Sequence, residues 1–209
     1  MSVLLILENK KNNQNYLNNW VKLDANSVFH PGSRIDIKIW EQFTVRDLLK
    51  WALIHSWNNA IIALAKYDSW TVDKFVEKMN KRAKELWLNH THFENPTWFD
   101  DKWHFTTARD LAILAKYVYK YNFVQEVVKQ KKWIIFSKSR RRVEFLTTNR
   151  LLSDEVIWMK TWTTPNAWQC LITIIKKEWK ELLFVLLGSR NRFWETKSLI
   201  NFVFDKIDK

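Results

Sequence analysis

The sequence predicts an α+β fold, an antiparallel sheet flanked by helices. Between residues 44 and 130 apolar residues recur at helical spacing, and between 132 and 188 they follow strand-like spacing. From 192 the helical period returns. Helices first, then hairpin-linked strands, then a helix is the order of an α+β chain, not of alternating βαβ units. The 209 residues suffice for one domain with a real core, assigned here to 1–209.

Asn-rich "NKKNNQNYLNN" (9–19) reads as a polar loop. "TVRDLLKWALIHS" (44–56) is predicted helical: Thr44-x-x-Asp47 is an N-terminal cap, and Val45, Leu48, Leu49 and Leu53 form an apolar stripe. "NNAIIALAKY" (58–67) is a second, very apolar helix, and "TVDKFVEKMNKRAKEL" (71–86) a third, amphipathic one. A loop is expected over 91–105. Thr107-Ala-Arg-Asp110 caps the next helix, and "FVQEVVKQ" (123–130) adds a short one. "KWIIFS" (132–137), "RVEFLTTN" (142–149), "VIWMKT" (156–161), "QCLITIIKK" (169–177) and "ELLFVLLG" (181–188) read as strands. "RFWETKSLINFVFDKI" (192–207) closes the chain as an amphipathic helix.

The net charge is +12, from 34 basic and 22 acidic residues. The lysines are scattered and only Arg140–Arg142 is a dense basic run, so solvated helix faces are expected, not a nucleic-acid surface. One cysteine, Cys170, excludes an intrachain disulfide and reads as a buried, inert thiol. No apolar run approaches the roughly 18 residues of a membrane span. The opening "MSVLLILEN" is too short for a signal peptide and has no basic segment before it. His90 and His92 stand two apart in a polar loop with no helically spaced carboxylates, so no metal and no cofactor is expected.

One feature of the composition is abnormal. The chain has 14 Trp and 2 Gly, where about 15 glycines would be ordinary. Trp70, Trp87, Trp98, Trp168 and Trp179 stand at turns, a helix C-terminus and a hairpin tip, places suited to glycine. The expectation is that most of these positions are glycine in the producing cell, with UGA codons rendered as tryptophan. A Trp-rich stacking surface would instead cluster its rings on one face, yet they spread from Trp20 to Trp194.

Two short motifs carry chemistry. Ser56-Trp57-Asn58 lies at the junction of two apolar helices, where Ser56 or Asn58 could simply cap the second one. Lys160-Thr161-Trp162 lies on a strand, where a lysine alone is unremarkable. In this order they resemble two of the three motifs of serine penicillin-interacting enzymes, Ser-x-Asn and Lys-Thr-Gly, with Trp162 in the glycine's place. The flanking stretches "FTVRDLLKWALIHSWNNAIIALAKY", "FVEKMNKRAKELWLNHTHFENPTWFDD", "TTARDLAILAKY", "TNRLL" and "WMKTWTTPNAWQCLI" are similar to the D-alanyl-D-alanine carboxypeptidases, the low-molecular-weight penicillin-binding proteins. Trp falls where that family carries Gly.

The resemblance implies a β-lactamase/transpeptidase-like fold whose N-terminal strands are missing from these residues. It implies a serine carboxypeptidase that removes the terminal D-alanine of peptidoglycan pentapeptides through an acyl-enzyme, is inhibited by β-lactams and works outside the cytoplasm. Ser56 would relay a proton to the leaving amine, and Asn58 would hold the acyl side of the substrate. Lys160 and Thr161 would bind the terminal carboxylate. Thr163 would lend its N–H to the oxyanion hole, and position 162 must be small. Thr148 and Arg150 are candidate neighbours of the pocket. The family's nucleophile motif, Ser-x-x-Lys, is absent: Ser2 is followed three residues on by Leu5, and no other serine has lysine at that spacing. The expectation is a chain that starts just after the motif, inactive as it stands. A non-catalytic cell-wall-binding paralogue and a class A β-lactamase-like hydrolase are the alternatives. Membrane attachment is left open, because the chain ends without the family's β-rich C-terminal domain or anchor.

Overall fold

A computed structural model describes every residue except 10–12, 14, 34, 35, 152, 154, 178, 208 and 209, so the polar loop at 9–19 and the "TNRLL" stretch lie partly outside the described residues. Helix α1 (Ser2–Glu8) leads through a 3-10 turn (Tyr16–Asn18) to strand β1 (Trp20–Lys22), the short helix α2 (Ala25–Val28) and strand β2 (Gln42–Thr44). A helical block follows: α3 (Val45–His55), α4 (Asn58–Ser69), α5 (Val72–Glu85), α6 (Ala108–Tyr119) and α7 (Asn122–Val128). Then come β3 (Lys132–Phe136), β4 (Arg142–Leu146), β5 (Val156–Thr164), β6 (Trp168–Lys177), β7 (Lys180–Ser189) and the closing helix α8 (Arg192–Ile207).

The caps read from the sequence are formed. Thr44 Oγ1 accepts from the Asp47 N–H at 3.1 Å, and Thr107 Oγ1 accepts from the Asp110 N–H at 3.2 Å. Each hydroxyl satisfies one of the orphan donors of a helix start and fixes where α3 and α6 begin.

The five predicted strands do not form one sheet. β3 and β4 make their own antiparallel hairpin, while β5–β6–β7 form a three-stranded antiparallel sheet in that order. β1 and β2 form a third pair, not anticipated from the sequence. Central strand β6 is buried continuously over 170–175, as expected for a strand covered on both faces. Helices α6 and α7 pack on the sheet together with the helical core, and α8 packs through Phe204 against Ile175 and Phe184.

Among the described residues six non-glycine residues adopt positive φ: Trp40, Ser56, Trp70, Trp87, Arg140 and Trp168. This left-handed region is uncommon for any side chain and an outlier for a bulky one.

Candidate active site

Lys160 sits on β5, an edge of the three-stranded sheet, opposite Ile172. Side chains alternate along a strand, so Trp158, Lys160, Trp162 and Thr164 share a face. All four line a cleft of about 500 Å³, together with Met1, Ser2, residues of α3 and α6, and the loop at 96–101. Asp100 ties that loop to the β5–β6 hairpin. Its carboxylate accepts from Thr164 Oγ1 at 2.6 Å and from the Asn166 N–H at 3.0 Å.

Ser56 reaches this strand from the helical block. It is not a cap of α4. It is the C-cap of α3, held at φ 59°, ψ 33°, and Trp57 takes the N-cap position of α4 without a side-chain capping bond. The left-handed turn leaves the Ser56 hydroxyl in hydrogen bond with the Lys160 ammonium, 104 residues away. Lys160 Nζ also donates to the Thr161 carbonyl at 2.7 Å, and Ser56 Oγ lies 3.4 Å from the same oxygen. Thr148 Oγ1 donates to the Ile54 carbonyl at 2.9 Å, which pins the end of α3 two residues before Ser56.

Burial dominates the electrostatics of Lys160. Desolvation, with a smaller contribution from the nearby Arg192 charge, pulls its pKa from 10.5 down to about 7. A group with this pKa can hold or release a proton at neutral pH, and its partner here is a hydroxyl.

Asn58 is buried at the first turn of α4. Its N–H donates to the Ser33 carbonyl at 2.8 Å, and its amide nitrogen reaches the Pro31 carbonyl at 3.4 Å. The intervening Gly32 has φ +87°, and a Cβ there would stand 2.6 Å from Asn58 Nδ2. Only glycine allows this segment to close on Asn58.

Two tryptophans occupy the centre of the site. Trp98 and Trp162 stack at 5.8 Å, and the Lys160 ammonium lies 4.7 Å from the Trp98 ring centre. The cleft reaches Lys160 and Trp162, but Ser56, Asn58, Thr161 and Thr163 do not line it. Thr163 lies on the other face of β5, where its Oγ1 accepts from Arg192 Nη2 at 2.6 Å. Arg192 Nη1 also donates to the carbonyls of Trp162 at 2.6 Å and Cys170 at 3.0 Å. Sequence reasoning missed Arg192, which opens α8 and brings a second cation to the Lys160–Thr163 strand. It gave no motif signal, being one of several arginines before an amphipathic helix. Arg150 packs over Phe193, 5.9 Å from its ring centre, and does not line the cleft.

Residues 1–191 match the family model described as D-alanyl-D-alanine carboxypeptidase, Peptidase S11. The chain belongs to this carboxypeptidase family. It is similar to the D-alanyl-D-alanine carboxypeptidase DacF of Bacillus subtilis, 30% identical over 213 residues, covering 100% of this chain and 55% of DacF. DacC of Escherichia coli is 32% identical over 186 residues, covering 86% of this chain and 46% of its own. The chain therefore spans about half the length of these curated relatives. Its fold is similar to the crystal structure of the Streptomyces K15 DD-transpeptidase, with TM-score 0.88, 25% identity, and coverage of 98% of this chain and 84% of that one. DacD from Francisella tularensis matches with TM-score 0.81 and 25% identity, over 92% of this chain and 59% of that one. The expected α+β, transpeptidase-like fold is the one these carboxypeptidase and transpeptidase structures share.

Ser2 lines the cleft, yet its hydroxyl donates to the Pro96 carbonyl at 2.7 Å and has no lysine three residues on. Among the described residues no helix is long and apolar enough to cross a membrane.

Proposed function

We propose that this chain carries the proton-relay and carboxylate-binding parts of a serine D-Ala-D-Ala carboxypeptidase. Its substrate is the pentapeptide stem of peptidoglycan, and it works in the cell envelope. The observation that carries this reading is the Lys160–Ser56 hydrogen bond, which joins the two motifs across the helical block and the sheet edge.

In this reaction a serine hydroxyl attacks the carbonyl carbon between the two terminal D-alanines. The C–N bond breaks, D-alanine leaves with a proton on its amine, and water later hydrolyses the serine ester. Ser56 passes that proton to the departing amine, and Lys160 eases the transfer by charge. Asn58 holds the acyl side of the peptide. The terminal carboxylate pairs with Lys160 and the Thr161 hydroxyl. Arg192 adds a second positive charge beside the same strand. The Thr163 N–H contributes to the oxyanion hole. The attacking serine lies outside these 209 residues in this reading, since no Ser-x-x-Lys occurs within them.

The test uses the full reading frame around this gene. The protein should be acylated by a fluorescent penicillin and should release D-alanine from a pentapeptide. Lys160→Ala should abolish labelling, and persistent labelling of that variant would refute the role of Lys160. The lack of a nucleophile motif favours a second reading, a non-catalytic cell-wall-binding paralogue. That reading predicts no acylation even from the full frame. Rapid turnover of penicillin in place of stable trapping would indicate a β-lactamase-like hydrolase.

A further inference from the structure

The tryptophans sort into distinct groups by the backbone and the contacts they keep. Four occupy turns that demand a left-handed residue. Trp87 follows α5 in a Schellman arrangement: its N–H bonds the Lys84 carbonyl at 3.0 Å, the Leu88 N–H bonds the Ala83 carbonyl at 2.9 Å, and φ at Trp87 is 57°. Trp70 ends α4 at φ 68°, with its N–H on the Lys66 carbonyl. Trp40 is the third residue of a turn closed by the Glu41 N–H on the Lys38 carbonyl, again at φ 68°, the glycine position of a type II turn. Trp168, φ 57°, opens β6 directly after the loop Pro165–Ala167 and pairs with Thr164, a hairpin position where a left-handed backbone favours glycine.

The two glycines of the chain, Gly32 and Gly188, take positive φ of the same kind, 87° and 63°. The four rings themselves are exposed, from 49% at Trp168 to 88% at Trp70. They stand on separate elements of the fold and form no common stacking face.

Trp133 behaves differently. It lies in ordinary strand geometry on β3, donates its Nε1–H to the Val127 carbonyl at 3.1 Å and carries the Lys50 ammonium 4.6 Å from its ring centre. The hydrogen bond is the contact that needs an indole, since Trp40 also carries a lysine, Lys22, 4.4 Å from its ring centre. Trp98 shares the cation contact, through Lys160, but not the hydrogen bond. Its Nε1–H is buried without a partner among the described residues, and its ring, with Trp162, fills the space beside Lys160.

We infer that the producing cell places glycine at positions 40, 70, 87 and 168, and through the same codon at 98 and 162, while position 133 is a true tryptophan. Glycine at 98 and 162 removes both rings from beside Lys160 and lets a peptide lie along the edge of β5. The inference rests on backbone geometry at 40, 70, 87 and 168 and on side-chain contacts at 98, 133 and 162, and it does not depend on the proposed reaction.

Peptide mass spectrometry of the protein isolated from its own cells, read against the coding DNA, tests it. The expected result is glycine mass at 40, 70, 87, 168, 98 and 162 with UGA codons, and tryptophan mass with a UGG codon at 133. Tryptophan at two or more of the four turn positions overturns it, and so do UGG codons there. Glycine at 133 overturns the sorting by contacts. A catalytically inactive protein would leave this readout unchanged, so failure of the proposed function and failure of this inference remain distinguishable.

Discussion

Helices α3 and α4 end in the same unusual way, each on a non-glycine residue at positive φ, Ser56 at 59° and Trp70 at 68°. The two turns have opposite surroundings. Ser56 is held from several sides: its hydroxyl meets Lys160 and Thr161, and Thr148 pins the carbonyl two residues earlier. Trp70 projects an 88% exposed ring into solvent. Strain persists at functional sites because surrounding contacts over-determine it. At Ser56 those contacts exist and aim a hydroxyl at the sheet edge. At Trp70 the backbone bond to Lys66 is present, but nothing rewards the side chain. The same positive φ is therefore held by tertiary contacts in one place and left without side-chain contacts to hold it in the other.

Breaking the Ser56 side should give the largest effects. In the full-frame enzyme, Ser56→Ala and Lys160→Ala should each slow acylation by about 10²–10⁴-fold, the usual range for a positioned proton-transfer group. Stopped-flow labelling with a fluorescent penicillin reads this, and an unchanged rate for Ser56→Ala would remove it from the relay.

The next effect is on stability. Because the folded pKa of Lys160 is lowered from 10.5 to about 7, the unfolded chain binds the extra proton between those values. Stability should then rise as pH climbs from about 7 to about 10.5, and the full penalty applies below 7. Lys160→Met should flatten this slope and raise stability at pH 6, with an upper bound of about 5 kcal/mol set by ~1.4 kcal/mol per pKa unit. Urea melts across pH measure both.

Relieving the turns sharpens the comparison. Trp70→Gly should stabilise by about 1–3 kcal/mol, the scale of a strained backbone residue. Ser56→Gly relieves the same φ, but it leaves Lys160 without its hydroxyl partner and should abolish the proposed relay. Thermal unfolding paired with acylation rates separates the two. The smallest effect is at the helix starts, where Thr44→Ala and Thr107→Ala should each cost about 1 kcal/mol and leave acylation unchanged.

Local signals were legible in the sequence wherever one residue type answers one local need. Thr44 and Thr107 announced helix starts, and Trp70, Trp87 and Trp168 announced left-handed positions, whereas Trp98 and Trp179 are not among the described positive-φ residues and Trp40, which is, was not singled out. Family motifs supplied the site: Ser56 and Lys160 were paired by resemblance, and the fold brings them into contact. What was not legible is long-range. Alternation along β3, β4 and β5 cannot say that the first two form a separate hairpin, because period 2 is the same in any sheet. Ser56 looked like a cap of the helix after it, since serine favours N-caps; only the tertiary contact with Lys160 explains a serine in αL. Arg192 lies 32 residues beyond Lys160, and nothing local links an arginine at a helix start to a strand two hairpins earlier. Gly32 shows its purpose only once Asn58 stands against it.

With Lys160 as the proposed carboxylate-binding group, its depressed pKa would couple ligand capture to proton uptake. A carboxylate arriving beside Lys160 restores the charged ammonium, so at pH 8 binding should draw in close to one proton. Calorimetry in buffers of different ionisation enthalpy would count it. Affinity for anionic ligands should then weaken as pH rises above about 7, and an affinity that stays flat from pH 7 to 9 would remove Lys160 from carboxylate binding.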